Sequence, residues 1–163
     1  MEIKMIFLDL LLDLVSNFAL ASAVAAWLTA QMLKVVTGVF RMKKFSVVEM
    51  LFGTGGMPSS HTAAVTALAC SIAIREGLGS IEFAICAILA MIVMRDATGM
   101  RRQVGEQAKV LNKVLQELKN AKGPEATAKA LDELAGHTPL QVGAGVVVGV
   151  VIPFLVDLIP VFA

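Results

Sequence analysis

The chain has 163 residues, 57% of them apolar, with a mean hydropathy of +0.79 and a formal net charge of +1. Soluble domains hold about 45–50% apolar residues, so the composition excludes an ordinary soluble domain and reads as one membrane-embedded domain, residues 1–163. No short apolar core is followed by a small-residue cleavage site, so no removable signal peptide is expected, and Cys70 and Cys86, each inside an apolar run, read as buried thiols rather than a disulfide or metal pair.

Residues 1–13 are apolar but carry Asp9 and Asp13, four apart on one helix face. The stretch is too short and too charged to span, and reads as an interfacial helix or as the outer end of the first span. From Leu14 to Thr37 only Lys34 is charged, and the run is long enough to cross a bilayer. Ala19, Ala23, Ala26 and Ala30 give one helix face small residues for close contact. A basic loop with Arg41, Lys43 and Lys44 follows.

Residues 53–62 read Gly-Thr-Gly-Gly-Met-Pro-Ser-Ser-His-Thr and lead into an apolar run that ends at Ile74. Ser59 or Ser60 is the natural N-cap of this second span. Residues 75–80 form a short turn with Ser80 as a cap, and a third span runs from about Ile81 to Met94.

The longest polar stretch is Arg95 to Gly136. Within it Val104, Ala108, Leu111, Leu115 and Leu118 recur at spacings of 4, 3, 4 and 3, which predicts an amphipathic helix. Gly123-Pro124 ends it, and a second helix to about Leu134 completes a polar hairpin. The hairpin reads either as a packing or dimer surface or as an arm over a site. Thr138 and Pro139 then suit the cap and first turn of a fourth span, about Leu140 to Val161. Gly145 and Gly149 offer a small contact face. The valines of 146–151 would suit a strand in water, but a lone strand in lipid leaves its backbone unpaired, so helix is expected. The expected fold is all-α: an integral membrane helical bundle of about four transmembrane helices, with an interfacial N-terminal helix and a polar helical hairpin between the last two spans.

Alternating the four spans puts Lys34, Arg41, Lys43, Lys44, Arg95, Arg101, Arg102, Lys109, Lys113, Lys119, Lys122 and Lys129 on one side, twelve of the fourteen cations. Lys4 and Arg75 remain on the other. The positive-inside bias makes the crowded side cytoplasmic. His61 and His137, the two histidines of the chain, fall on that side, each directly before a threonine at the start of a span. Free N–H groups and partial positive charge at a helix N-terminus attract an anion, and arginine forks fit phosphate oxygens. A basic surface touching lipid headgroups accounts for the lysines, but not for two histidines at capped helix starts.

At these residues the chain resembles the membrane-bound type 2 phosphatidic acid phosphatase superfamily, and more closely its small divergent members in bacteria and plastids. Lys34 and Arg41 have the spacing of the first motif, with Met42 in place of its proline. Pro58-Ser59-Ser60-His61 matches the second, Pro-Ser-Gly-His, with serine for glycine. The third is rearranged: His137 is the candidate histidine, Gln141 stands where the aspartate would be, and the arginine is one of Arg95, Arg101 or Arg102.

The resemblance implies that His137 attacks phosphorus and becomes a phosphohistidine while His61 protonates the leaving oxygen. Lys34, Arg41 and an arginine of the third motif hold the phosphate, with Ser59 and Ser60 at the helix start. Asp96, Glu133 or Gln141 orients His137. No metal or other cofactor is implied. The expected function is a phosphatase or phosphotransferase acting on a lipid phosphate at the cytoplasmic membrane face. The alternative is a non-catalytic protein that binds or transports a phosphorylated lipid. Expected partners are membrane lipids, the phosphorylated lipid substrate and a second copy of the chain, with no nucleic acid.

Overall fold

The computed structural model describes residues 2–39, 56–122 and 137–162. Six helices lie within them: α1 (Glu2–Val15), α2 (Phe18–Val39), α3 (Ser60–Glu76), α4 (Ile81–Thr98), α5 (Met100–Lys122) and α6 (Pro139–Asp157). Every regular element among the described residues is helical, valine-rich α6 included. Arg41, the rest of the basic loop, Gly53 to Gly55, Glu133 and the second helix of the polar hairpin lie outside them.

The N-terminal stretch is a helix of its own, not the outer end of the first span. Ser16 turns its hydroxyl back onto Leu12 O at 2.7 Å, and Asn17 Oδ1 accepts from Leu20 N at 2.9 Å. That asparagine caps a new helix, so α2 begins at Phe18 rather than Leu14. The later starts follow the serines and threonine of the sequence. Ser59 Oγ accepts from Thr62 N at 3.4 Å and Ser80 Oγ from Phe83 N at 3.1 Å. Thr138 and Gln141 form a reciprocal capping box: Gln141 N donates to Thr138 Oγ1 at 3.3 Å, and Thr138 N donates to Gln141 Oε1 at 2.8 Å.

Helix α3 is the hub, in contact with α2, α4 and α6. Small residues allow the close approach. Ala26 and Ala30 of α2 meet Ala63 and Ala67 of α3, with Val148 and Ile152 of α6 packed against them. Of the four alanines in the expected face of α2, Ala26 and Ala30 are buried, whereas Ala19 and Ala23 are half-buried. Between α3 and α6 the backbones nearly touch. A Cβ on Gly145 would stand 2.6 Å from Ser59 O, and one on Gly149 would stand 2.5 Å from Thr66 Cβ.

Helices α2 (Phe18–Thr37), α4 with its continuation, and α6 are long and apolar enough to cross a membrane. The central α3, at 17 residues, is not among them. It nevertheless runs antiparallel to α2 from end to end. Its first residue, Ser60, meets Lys34, and Arg75 at its far end stacks 4.1 Å over the Phe18 ring. Arg75 also pairs with Asp157 at 2.9 Å and donates to Phe162 O, which ties the last turn of α6 to the start of α2.

Candidate functional site

At the end of the bundle opposite Arg75, four helix termini come together. Ser59 N donates to Gln141 O at 2.9 Å, so the N-termini of α3 and α6 are joined backbone to backbone. His61 is the second residue of α3, and His137 directly precedes the Thr138 cap of α6. The imidazole of His61 is exposed, while His137 is 4% exposed. The His137 backbone N–H donates to Ala97 O at 3.0 Å, which pins it to the C-terminal end of α4. The C-terminal part of α2 contributes Lys34, whose Nζ donates to Ser60 Oγ at 3.1 Å.

The local chain explains how these groups are held. Thr37, one turn after Lys34, donates its hydroxyl to Met57 O at 2.8 Å and so fastens α2 to the segment entering α3. Gly56 has φ +96°, a conformation that side chains rarely adopt, and lies against the Lys34 stem. Pro58, after a cis peptide bond, leads into Ser59, and Ser59, Ser60 and Thr62 are all buried. Two helix N-termini side by side bring their partial positive charge to one place. With a lysine and two imidazoles at the same end, the arrangement suits a phosphate-sized anion.

Arg95 and Asp96 belong to the last turn of α4, Arg95 exposed and Asp96 half-buried. Asp96 immediately precedes the Ala97 carbonyl that holds His137. Arg101 and Arg102 lie in the first turn of α5, their side chains outside the described residues. Gln141 spends its side-chain oxygen on the Thr138 N–H of the cap and its backbone carbonyl on Ser59.

Over residues 15–152 the sequence matches the Divergent PAP2 family. The chain belongs to the Divergent PAP2 family. A relative in Bacillus subtilis (strain 168), described as "Uncharacterized membrane protein YuiD", is 43% identical over 150 residues, covering 86% of this chain and 94% of that protein. No solved structure is a significant match. The protein is therefore a phosphatase-related membrane protein of the Divergent PAP2 family.

Sequence reasoning did not single out Thr37, nor the backbone tie between Ser59 and Gln141. Thr37 had a signal, since it sits three residues after Lys34 on the same helix turn. The Ser59–Gln141 bond joins backbone atoms of residues far apart in sequence, and no side-chain pattern announces it.

Proposed function

We propose that this member of the Divergent PAP2 family is a lipid-phosphate phosphatase or phosphotransferase, working at the cytoplasmic face of a bacterial cytoplasmic membrane through a phosphohistidine. The observation that carries this reading is the 2.9 Å bond from Ser59 N to Gln141 O, which sets the helix starts bearing His61 and His137 side by side. A nitrogen of neutral His137 forms a bond to phosphorus as the bond to the lipid oxygen breaks. His61, protonated, gives its proton to that oxygen. Water, or an acceptor hydroxyl, then attacks phosphorus from the opposite side and loses its proton to His61, and His137 is released. Lys34 and the arginines, with the N–H groups of the two helix starts, take up the charge that develops on the equatorial oxygens.

A nucleophilic imidazole works best with its second ring nitrogen held by an acceptor. We assign that positioning role to Asp96 over Gln141. Asp96 adjoins the carbonyl that anchors His137, whereas the Gln141 side-chain oxygen serves the α6 cap. The same engagement of Gln141 is what favours the second reading, a protein that binds or transports a phosphorylated lipid without cleaving it.

Purified protein in vesicles carrying a panel of lipid phosphates tests the two. Release of inorganic phosphate should fall at least ~10³-fold in His137→Ala, with Lys34→Met weakening vanadate inhibition about tenfold or more. Equal release from wild type and His137→Ala would sink the catalytic reading. Vanadate or lipid-phosphate binding without turnover would leave the binding protein.

A further inference from the structure

Among the described elements α5 packs against α4 and no other, and the chain covers only part of its apolar surface. Gly105 and Ala108 are buried and Leu115 is half-buried. Val104, Val110, Leu111 and Val114 are 55, 67, 49 and 44% exposed. At 3.6 residues per turn these four form an open flank next to the covered one. A shallow groove lined by Glu106, Gln107, Val110, Leu111 and Val114 runs along it. The stripe expected from the sequence is thus split, with Ala108 and Leu115 turned toward the chain and Val104 and Leu111 away from it.

Two further features say what meets the open flank. The first is charge. Helix α5 carries Arg101, Arg102, Lys109, Lys113, Lys119 and Lys122 against Glu106 and Glu117, six cations to two anions. Two copies of such a helix repel, whereas an anionic lipid surface attracts it. The second is position. Only Gly99 separates α5 from α4, and the run that α4 opens, Ile81–Glu117, holds a stretch long and apolar enough to cross the membrane. The backbone of Gly99, at φ −97° and ψ −91°, is not helical, so α5 is not bound to continue along the axis of α4. Residues 83–94 are uncharged, and Arg95 and Asp96 in the last turn of α4 mark where the chain leaves the hydrocarbon, just ahead of α5.

We propose that α5 lies in the headgroup layer of an anionic membrane surface, with the Val104, Val110, Leu111 and Val114 flank against the acyl boundary. An amphipathic helix gains apolar burial and charge attraction together in that layer. Ala97, two residues before Gly99, holds His137, so a docked α5 also fixes the depth of the histidine end of the bundle.

The test uses the full chain in nanodiscs, in a background of Cys70→Ala and Cys86→Ala, with one new cysteine carrying an environment-sensitive fluorophore. The sites are Val110→Cys on the open flank, Gln116→Cys on the polar side, and Val147→Cys on the exposed apolar face of α6 as a positive control. With anionic lipid present, spin-labelled lipid should quench the probe at 110 and 147 but not at 116. In neutral discs quenching at 110 should fall while that at 147 persists. Lys113→Gln with Lys119→Gln should lower the ratio of docked to free helix by about 25-fold, roughly fivefold per cation removed. A water-like, unquenched probe at 110 in anionic discs, with 147 still quenched, would overturn the proposal. So would an efficient 110–110 disulfide between copies of the unlabelled Val110→Cys protein under a mild oxidant, together with no lipid quenching of the labelled one, since that assigns the flank to a second chain.

Discussion

Gly145 shows how much of the site depends on a single missing methyl group. Ser59 O and Thr62 Cβ would lie 2.6 and 2.9 Å from its Cβ, and Ser59 is the residue that joins α3 to α6. Backbone cannot step aside as a flexible side chain can, so Gly145→Ala must push the two helix starts apart. The expected cost is about 1–3 kcal/mol, as for other overpacked interiors. Gly143, one position off that contact line, has nothing within 4 Å of its Cβ. In detergent, Gly145→Ala should lower the midpoint of thermal unfolding, while Gly143→Ala should leave it unchanged or raise it through the better helix propensity of alanine. Equal midpoints for the two variants would show that the close crossing does not limit stability.

At the scale of helices, what could be read in advance was local. Ser59, Ser80 and Thr138 announce their helix starts because a hydroxyl before an apolar run has an unpaired N–H two or three residues on. Histidines placed just beside two of those caps fall at one end of the bundle once the spans alternate, and Ser59 N–H bonds Gln141 O there. Asn17 was harder, because one asparagine inside a long apolar stretch does not by itself interrupt hydropathy. The split stripe of α5 was beyond periodicity, which finds an apolar face but not how much of it the chain covers. Gln141 was set apart by family position alone, and its 2.8 Å bond from Thr138 N gives it a different task. Removing that box by Thr138→Val should cost about 1 kcal/mol. Because His137 directly precedes the cap, lipid-phosphate turnover should fall further than the loss of folded protein explains. A drop in turnover matching the folded fraction would mean that the cap serves stability alone.

At the scale of the molecule, the two ends of the bundle differ in chemistry. One gathers Lys34, His61, Arg95 and His137; the other is closed by Arg75, Asp157, Phe18 and Phe162. The imbalance of cations between the ends predicts that the histidine end faces the cytoplasm. A cysteine introduced at Lys119 should resist an impermeant thiol reagent in intact cells and react after lysis. Labelling before lysis would invert the orientation and move the proposed chemistry to the outer leaflet.

The central place of α3 bears on how the protein is made. Its buried surface includes Ser60, Thr62, Thr66 and Ser71, groups suited to neighbouring helices and poorly suited to lipid. A segment of that kind is a weak signal to the insertion machinery. It is joined to apolar α4 by residues 77–80 alone, so the pair can enter the bilayer as one hairpin while α2 waits beside it. A glycosylation reporter carrying residues 60–76 alone should be translocated in large part, and one carrying residues 60–98 should be retained as an inserted hairpin. Efficient insertion of residues 60–76 by themselves would show that α3 needs no partner during synthesis. On the expected outcome, the polar residues that α3 buries against its neighbours also leave it dependent on them to enter the membrane.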